Sequence, residues 1–299
     1  MQIKTIQKTI KKKLNEWLET ITDLELKNDL KLNILVSGGS ITSMLLNEPV
    51  NDYDIYIKDR TVLLRLVNYY TKGRGDIEIL NGEEKEEYTK YIEDSNNSYA
   101  VSVRTLKPDQ IKLYFPSEKA GIKIDKETIK EGQTYVPLYF SPNAISLSDK
   151  IQIVIRFHGD NEQIHKTFDF IHATNYFTFE DGLVTNKEAL ESILTKQLKY
   201  QGSLYPVTTI VRVKKFIKRG WNINAGELLK VMFQISELDL KNIDILEEQV
   251  LGVDVAYFSK LVELLRNDDN LKTTSLTSEY LNKLIDKVFN ESDDEDEIE

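Results

Sequence analysis

The sequence predicts an α+β fold, with a mixed β-sheet in its N-terminal part and an all-helical C-terminal domain. Two observations support this prediction. Short apolar runs separated by glycine-containing and polar turns dominate residues 32–185, which is typical of strands. From residue 186 onward, apolar residues recur at helical spacing in stretches of several turns each. With 299 residues, the chain is long enough for two domains.

The composition excludes several classes of protein. Hydrophobic residues make up 40% and charged residues 29% of the chain, proportions that are typical of soluble globular proteins. Cysteine is absent, which excludes a disulfide framework and a thiolate zinc site. The chain has no long apolar run, and no apolar segment follows its N-terminal lysines. We therefore expect a cytoplasmic protein with no signal peptide and no membrane partner.

Negative charge is concentrated at the C-terminus. The formal net charge is −10, and residues 291–299 contain seven acids. We expect this tail to be disordered and solvated. Without the tail the formal charge is −3, so a local basic patch can still attract a nucleotide or a nucleic acid.

The order of predicted elements divides the sheet domain further. An amphipathic helix is predicted over Ile3–Ile21, and we expect residues 1–31 to pack on a sheet domain at residues 32–185. Residues 71–148 are polar and rich in turns, which indicates an insertion in, or an extension of, that sheet. Strands are predicted within this segment at Ala100–Thr105, Gln110–Tyr114 and Tyr135–Phe140.

A glycine-rich turn follows the first predicted strand. Gly38, Gly39 and Ser40 separate the apolar strand Leu32–Val36 from a short helix at Ile41–Leu46. Glycines allow a sharp turn and expose backbone amides to an anion where a helix begins. A serine here can cap the helix and also donate to a phosphate. The sequence therefore predicts that these three residues hold a phosphate.

Two aspartates follow about a dozen residues later. Asp52 and Asp54 stand two positions apart in a β-rich run, which puts both carboxylates on one face of a strand, roughly 6–7 Å apart. Such a pair suits hard divalent cations, and two cations about 3.5–4 Å apart can hold a triphosphate and lower the pKa of an attacking hydroxyl. The pattern predicts nucleotidyl transfer from an NTP with Mg²⁺ or Mn²⁺. The alternative is an ordinary glycine bend followed by an exposed Asp-Tyr-Asp turn.

These residues resemble the head-domain signature of the DNA polymerase beta-like nucleotidyltransferase superfamily, in the branch of bacterial poly(A) polymerases and CCA-adding enzymes. The signature Gly-Gly-small-Val-Arg-Asp-x-Leu-Leu-Gly-x-Pro-x-x-Asp-aromatic-Asp-Ile lies over Gly38–Ile55 without a gap. This chain has Thr42 and Ser43 in place of the Arg-Asp pair, and Asn47 in place of the third glycine. The resemblance implies a nucleotidyltransferase-type head domain that transfers a nucleoside monophosphate to an acceptor hydroxyl, with an RNA 3′ end as the acceptor. The matching positions are Leu45, Leu46, Pro49, Asp52, Tyr53, Asp54 and Ile55.

The resemblance also implies a third metal ligand. A hairpin is predicted with its second strand at Gln163–Phe170, and Asp169 lies there between two phenylalanines. In this superfamily a third carboxylate on a neighbouring strand often completes the metal site. Asp169 is therefore the candidate, with Glu78 and Glu162 as weaker alternatives. The segment Asp169–Phe177 also resembles a segment of the poly(A) polymerases that gives this aspartate a different role near the site.

All three histidines of the chain, His158, His165 and His172, lie in or beside the predicted hairpin. Strand geometry would place His165 on the same face as Asp169. A metal-binding or proton-transfer role and an ordinary hydrogen-bonding role are both compatible with this spacing.

The helical neck and body domain is predicted at residues 186–290. Arg212, Lys215 and Arg219 share one side of a helix there, where they can bind a triphosphate, although a solvated face is the alternative. The segments Ile210–Phe216 and Gly220–Ile223 resemble the neck motif of the same branch, Leu-Arg-x-x-Arg-Phe followed by Gly-Phe-x-Ile. The predicted helices are Lys187–Leu198, Pro206–Arg219, Ala225–Leu238, Ile243–Leu251, Val255–Arg266 and Ser278–Phe289.

Two other functions are compatible with the sequence. One is a catalytically degenerate protein that keeps the fold for a binding or structural role, which the lost Arg-Asp pair favours. The other is transfer of a nucleoside monophosphate to a protein or a small molecule, which the acidic body favours slightly. The Glu-Asp-x-x-Arg base-selecting motif is absent, so the sequence does not support a CCA-specific activity.

Overall fold

The computed structural model describes residues 2–81, 86–94, 97–106, 110–115, 121–125, 129, 132–240 and scattered positions between 242 and 286. The chain divides into two compact units. The first consists of Met1–His165 and His172–Ile193, and the second of Lys166–Ile171 and Leu194–Glu299. Across the described ranges, the helices are too short or too polar to cross a membrane.

The first unit contains a β-sheet and several helices. Its elements up to residue 71 are α1 (Ile3–Glu19), α2 (Leu24–Asn33), β1 (Ile34–Ser37), α3 (Gly39–Leu46), β2 (Tyr53–Ile57) and α4 (Arg60–Thr71). The strands that follow are β3 (Glu78–Asn81), β4 (Glu86–Asp94), β5 (Asn97–Leu106), β6 (Ile111–Tyr114), β7 (Ile122–Lys123), β8 (Pro137–Phe140), β9 (Ala144–Leu147) and β10 (Ile151–His158). After them come α5 (Asn161–His165), β11 (Tyr176–Thr178), β12 (Gly182–Val184) and α6 (Lys187–Thr195).

Eight of the described strands form one mixed sheet in the order β12-β11-β1-β2-β10-β9-β8-β7. Strand β10 runs parallel to β2, and the other neighbouring pairs are antiparallel. Strands β7, β8 and β9 come from residues 71–148, so that segment extends the sheet. The same segment contributes to two separate two-stranded ribbons, β3 with β6 and β4 with β5. The predicted α+β class and its mixed sheet are confirmed.

One face of this sheet carries the hydrophobic core of the first unit. Ile55 and Ile57 of β2 and Ile153 of β10 are fully buried in it, together with Leu14 and Trp17 of α1. The helix predicted at the N-terminus is therefore present, and its apolar stripe is the side that packs. Because side chains alternate along a strand, the polar residue Asp54 between two core positions of β2 faces the opposite side of the sheet.

The predicted hairpin is only half correct. Its first strand is β10, but Gln163–Phe170 is not a strand, because α5 occupies its start and a turn follows. A reciprocal capping box explains the helix. Asp160 Oδ1 accepts from the Gln163 amide at 2.9 Å, and Gln163 Oε1 accepts from the Asp160 amide at 2.9 Å. These two bonds satisfy helix-end amides and favour a helix over a second strand.

The second unit contains the helices α7 (Pro206–Lys218) and α8 (Ala225–Ser236), which lie where helices were predicted. A row of aromatic side chains packs beside them, with neighbouring ring centroids 5.6–5.9 Å apart. It consists of Tyr200, Phe170, Phe216 and Trp221. Gly220, with φ +78°, ends α7 and turns the chain so that Trp221 can join this row.

Several predicted elements cannot be compared with the structure. The helix predicted at Val255–Arg266 and the acidic tail at 291–299 lie outside the described residues. Most of Ile243–Leu251 and Ser278–Phe289 lies outside them as well. These elements stay predictions.

Candidate functional site

The glycine turn connects the end of β1 with the start of α3. Gly38 adopts φ +96° and ψ −150°, a conformation that is essentially restricted to glycine, and α3 begins at Gly39. The N-cap residue is Gly38, which has no side chain that could cap the amides of this helix end. The predicted cap by Ser40 is therefore wrong, because Ser40 lies inside the first turn. Its side chain is only 3% exposed, and its hydroxyl has no hydrogen-bond partner among the described residues.

The Asp54 carboxylate lies directly against this turn. A Cβ atom at Gly38 would be 3.0 Å from Asp54 Oδ2, so only glycine leaves room for the carboxylate there. The antiparallel pairing of β1 with β2, in which Val36 faces Ile55, brings the two residues together. Asp52 is exposed and immediately precedes β2. The structure therefore brings one acid of the predicted pair, Asp54, against the glycine turn.

This arrangement has an electrostatic consequence. An anion bound to the amides of α3 and the negatively charged Asp54 would lie close together and repel each other. A divalent cation between them removes the repulsion, and carboxylate and phosphate oxygens are the ligands that Mg²⁺ and Mn²⁺ prefer. The backbone amides and the Asp54 carboxylate together therefore suit a phosphate that is bound to a metal ion better than a free phosphate.

A network of polar groups fixes the residue just before the turn. Ser37 is fully buried, and its Oγ lies 2.9 Å from His165 Nε2, 2.9 Å from the Asn175 carbonyl oxygen and 3.1 Å from the Ala173 carbonyl oxygen. Because the hydroxyl has a single proton and faces two carbonyls, the imidazole Nε2–H donates to Ser37 Oγ. Burial lowers the pKa of His165 to about 4, which keeps the ring neutral at physiological pH.

Sequence reasoning did not identify this network. It placed His165 beside Asp169 on a strand that does not exist, whereas the structure places it against Ser37. One feature of the sequence could have indicated the network: Ser37 is a polar residue at the buried end of an apolar strand. Such a residue needs partners for its hydroxyl, and they had to come from elsewhere in the chain.

The positions that differ from the nucleotidyltransferase signature are accommodated by packing and by backbone conformation. Thr42 is 5% exposed, and its hydroxyl donates to the His172 carbonyl oxygen at 3.0 Å. Ser43 is 6% exposed. Asn47, which replaces a glycine of the signature, ends α3 with φ +57°, a left-handed conformation that asparagine tolerates better than most residues.

Asp169 has partners from the second unit. Its Oδ1 accepts from Ser203 Oγ at 2.7 Å, and its Oδ2 accepts from Thr209 Oγ1 at 3.0 Å and from the Arg212 guanidinium. The side chain is buried, so these bonds hold an otherwise costly charge and tie residues 166–171 to α7. Burial and, next, the charge of Asp169 raise the pKa of Tyr200 to about 12.

The placement of Asp169 on a strand is thus corrected, while its role as a third ligand stays a prediction. Across the part of the chain that the structure describes, no group of three or more histidine or acidic side chains is placed to hold a metal ion. The alternatives Glu78 and Glu162 are exposed, on β3 and α5 respectively. Lys215 and Arg219 are exposed on or at the end of α7, and their nucleotide-binding role stays a prediction.

Comparisons with known proteins relate the chain to one family. The model of the "Gabija anti-defense 2 family protein" matches residues 8–196, which is more than half of the chain. The curated relative "Gabija anti-defense 2" of Bacillus phage SPbetaL7 is 22% identical over 284 residues, which cover 90% of this chain. The chain spans only 56% of the length of that relative.

Solved structures with a similar chain path are CCA-adding enzymes. The Thermotoga maritima enzyme in complex with tRNA is 13% identical with a TM-score of 0.36, covering 94% of this chain and 68% of that chain. The Bacillus stearothermophilus enzyme in complex with CTP is 11% identical with a TM-score of 0.37, covering 80% of this chain and 50% of that chain.

The first prediction concerns the contact between Gly38 and Asp54. We expect Gly38→Ala to lower the free energy of unfolding by about 2 kcal/mol, because alanine is strained at this φ and its Cβ meets the carboxylate. Gly39→Ala is the matched control. Gly39 is helical with open space around it, so alanine there leaves stability level or raises it by less than about 1 kcal/mol. Urea unfolding measures both variants, and equal stabilities would contradict the description of the turn.

The second prediction concerns His165. Its pKa rises from about 4 in the folded protein to the ordinary 6.5 on unfolding. The unfolded state therefore binds more protons between these values, and stability present above pH 6.5 is lost as the pH falls towards 4. We expect this group to contribute a loss of roughly 1–3 kcal/mol across that window. His165→Gln keeps an N–H donor and should flatten the profile of denaturant midpoint against pH, whereas His158→Gln should keep the wild-type slope. Identical slopes in all three proteins would argue against a neutral His165 in the folded state.

The third prediction concerns Asp169. Asp169→Ala should lower the free energy of unfolding by about 2–4 kcal/mol, because Arg212 and the buried Ser203 hydroxyl lose the carboxylate that accepts from them. The Thr209 hydroxyl keeps only its longer bond, 3.3 Å, to the Tyr205 carbonyl oxygen. Asp181→Ala is the control, since Asp181 is an exposed acid that accepts from a single hydroxyl at 3.0 Å. Chemical denaturation checks both. A stable Asp169→Ala protein with lost metal binding would instead support the ligand role predicted from the sequence.

Proposed function

We propose that this chain, which belongs to the Gabija anti-defense 2 family, is a metal-dependent nucleotidyltransferase that moves a nucleoside monophosphate from an NTP to an acceptor hydroxyl. The observation that carries the proposal is the contact of Asp54 with the Gly38 turn. A phosphate-binding helix end held directly against a carboxylate is suited to a phosphate that arrives with a cation.

Each residue of the site has a part in the proposed reaction. The amides at the start of α3 bind and orient the triphosphate, and the absence of a side chain at Gly38 leaves room for the Asp54 carboxylate beside them. Asp52 and Asp54 hold Mg²⁺ or Mn²⁺, which when bound neutralises phosphate charge and lowers the pKa of the attacking hydroxyl. The neutral His165 and Ser37 keep the turn in place. Catalysis of this kind rests on positioning and charge stabilisation rather than on a covalent intermediate.

The proposed biological role is interference with a defence system. The relative from Bacillus phage SPbetaL7 is named for an anti-defence function against Gabija. We propose that the transfer reaction serves the same purpose here. An RNA 3′ end is the acceptor that the signature resemblance supports, and a protein or small molecule of the defence system is the alternative.

A binding protein without catalysis is the second candidate. The buried Thr42 and Ser43 at the Arg-Asp positions favour it, because neither can offer a charge to a nucleotide. A protein of this kind would counter the defence by occupying a partner, and its effect would not depend on Asp54.

The fourth prediction separates these two candidates with Asp54→Asn. The amide keeps the size of the side chain but holds a divalent cation poorly, so we expect transfer to fall by more than about 100-fold while stability changes by less than about 1 kcal/mol. Transfer is measured with each labelled NTP, Mg²⁺ or Mn²⁺, and cellular RNA or protein as acceptor. Asp76→Asn, which removes an acid paired with Arg74 outside the site, is the control and should keep full activity.

The same variants test the biological role. In bacteria that carry the Gabija defence, wild-type protein and Asp76→Asn should restore phage growth, and Asp54→Asn should not. Full restoration by Asp54→Asn, together with no labelled product from the wild-type protein, would reject the enzyme in favour of the binding protein.

A further inference from the structure

The neighbour of Asp54 on the next strand is a glutamine. Strands β2 and β10 are parallel, and their register pairs Asp54 with Gln152. In-register residues on adjacent strands place their side chains on the same face, about 4.8 Å apart. Gln152 therefore stands beside Asp54 on the sheet face opposite the hydrophobic core.

The alternation of β10 supports this placement. Ile151 and Ile153 are buried in the core, whereas Gln152 between them is only partly buried. The Gln152 amide nitrogen lies 3.4 Å from Ser146 Oγ on β9, the strand on the far side of β10 from β2. This contact involves the amide nitrogen of Gln152 and not its carbonyl oxygen.

We propose that Gln152 supplies the third oxygen ligand of the metal site, through its side-chain carbonyl, next to Asp52 and Asp54. This inference rests on the proposed function. Hard divalent cations also accept amide carbonyl oxygens, which are neutral and therefore weaker ligands than carboxylates. Asp169 is not needed for this role, because its two carboxylate oxygens already hold Ser203, Thr209 and Arg212 in the second unit.

A glutamine in this position changes the charge of the site. Two carboxylates and one amide carry a charge of about −2, whereas three carboxylates would carry about −3. The smaller charge weakens the attraction for a free cation, and the phosphates of the nucleotide then complete the set of oxygen ligands. The site therefore selects the metal–NTP complex over the metal alone.

The experiment titrates the purified protein with Mn²⁺, with and without a non-hydrolysable ATP analogue, and follows free Mn²⁺ by electron paramagnetic resonance. We expect Gln152→Glu to bind Mn²⁺ alone at least tenfold more tightly than wild type. Gln152→Leu, which has no oxygen, should bind Mn²⁺ with the analogue at least tenfold more weakly. Asn68→Asp adds one exposed acid on α4, away from the sheet face of Asp54, and should behave like wild type.

Melting temperatures give a second readout that does not depend on nucleotide. An added carboxylate beside Asp54 repels it when no cation is present. Gln152→Glu should therefore melt several degrees below wild type in chelator and recover with Mg²⁺, whereas Asn68→Asp should show no such recovery. A Gln152→Glu protein that neither binds Mn²⁺ more tightly nor gains stability from Mg²⁺ would overturn the assignment of Gln152.

The outcomes also distinguish this inference from the proposed function. If wild type binds the Mn²⁺–analogue complex, Asp54→Asn does not, and the Gln152 variants match wild type, only the third ligand is wrong. If wild type itself shows no binding of Mn²⁺ with the analogue, both the proposed function and the third ligand are wrong.

Discussion

The site depends on one steric constraint, the close approach of the Asp54 carboxylate to a backbone that has no side chain. At Gly38 the chain must leave β1 in a left-handed conformation and begin a helix within one residue. Only glycine permits this conformation without strain, and only glycine leaves space for the carboxylate. The amides at the start of α3 and the Asp54 carboxylate therefore lie next to each other. The proposed metal–phosphate chemistry depends on this arrangement.

Other contacts within the first unit keep Gly38 and Asp54 in these positions. The core face of the sheet is apolar and fixes the register of β1, β2 and β10, so that Asp54 and Gln152, which lie between core positions, emerge on the opposite face. On the chain just before the turn, Ser37 is anchored by His165 and two carbonyl groups. A neutral imidazole suits this half-buried position, because the loss of solvent around the ring disfavours its charged form.

The second unit contains a buried acid whose charge is compensated by hydrogen bonds and an ion pair. Asp169 is charged, almost fully buried and surrounded by two hydroxyl donors and a guanidinium. Removing either the acid or its partners from such an ion pair lowers the stability of the fold, whereas the intact pair orders the chain segments that contribute its residues. Here those segments are residues 166–171 and α7, which lie far apart in the sequence. A buried acid between phenylalanines therefore has a structural explanation that does not involve a metal.

What the sequence determined by itself is the set of local features: the strands and helices, the glycine turn, and the position of Asp54 on a strand. These follow from backbone preferences and from the two-residue period of strands, which operate within a few residues. The capping box of α5 was also local, and it was overlooked in favour of a strand. Only the tertiary structure decided which residues lie beside His165, Asp169 and Asp54. The residue beside Asp54 on the adjacent strand is Gln152. Strand register and burial bring together residues that are 34 to 128 positions apart, and no local pattern in either segment specifies such a pairing.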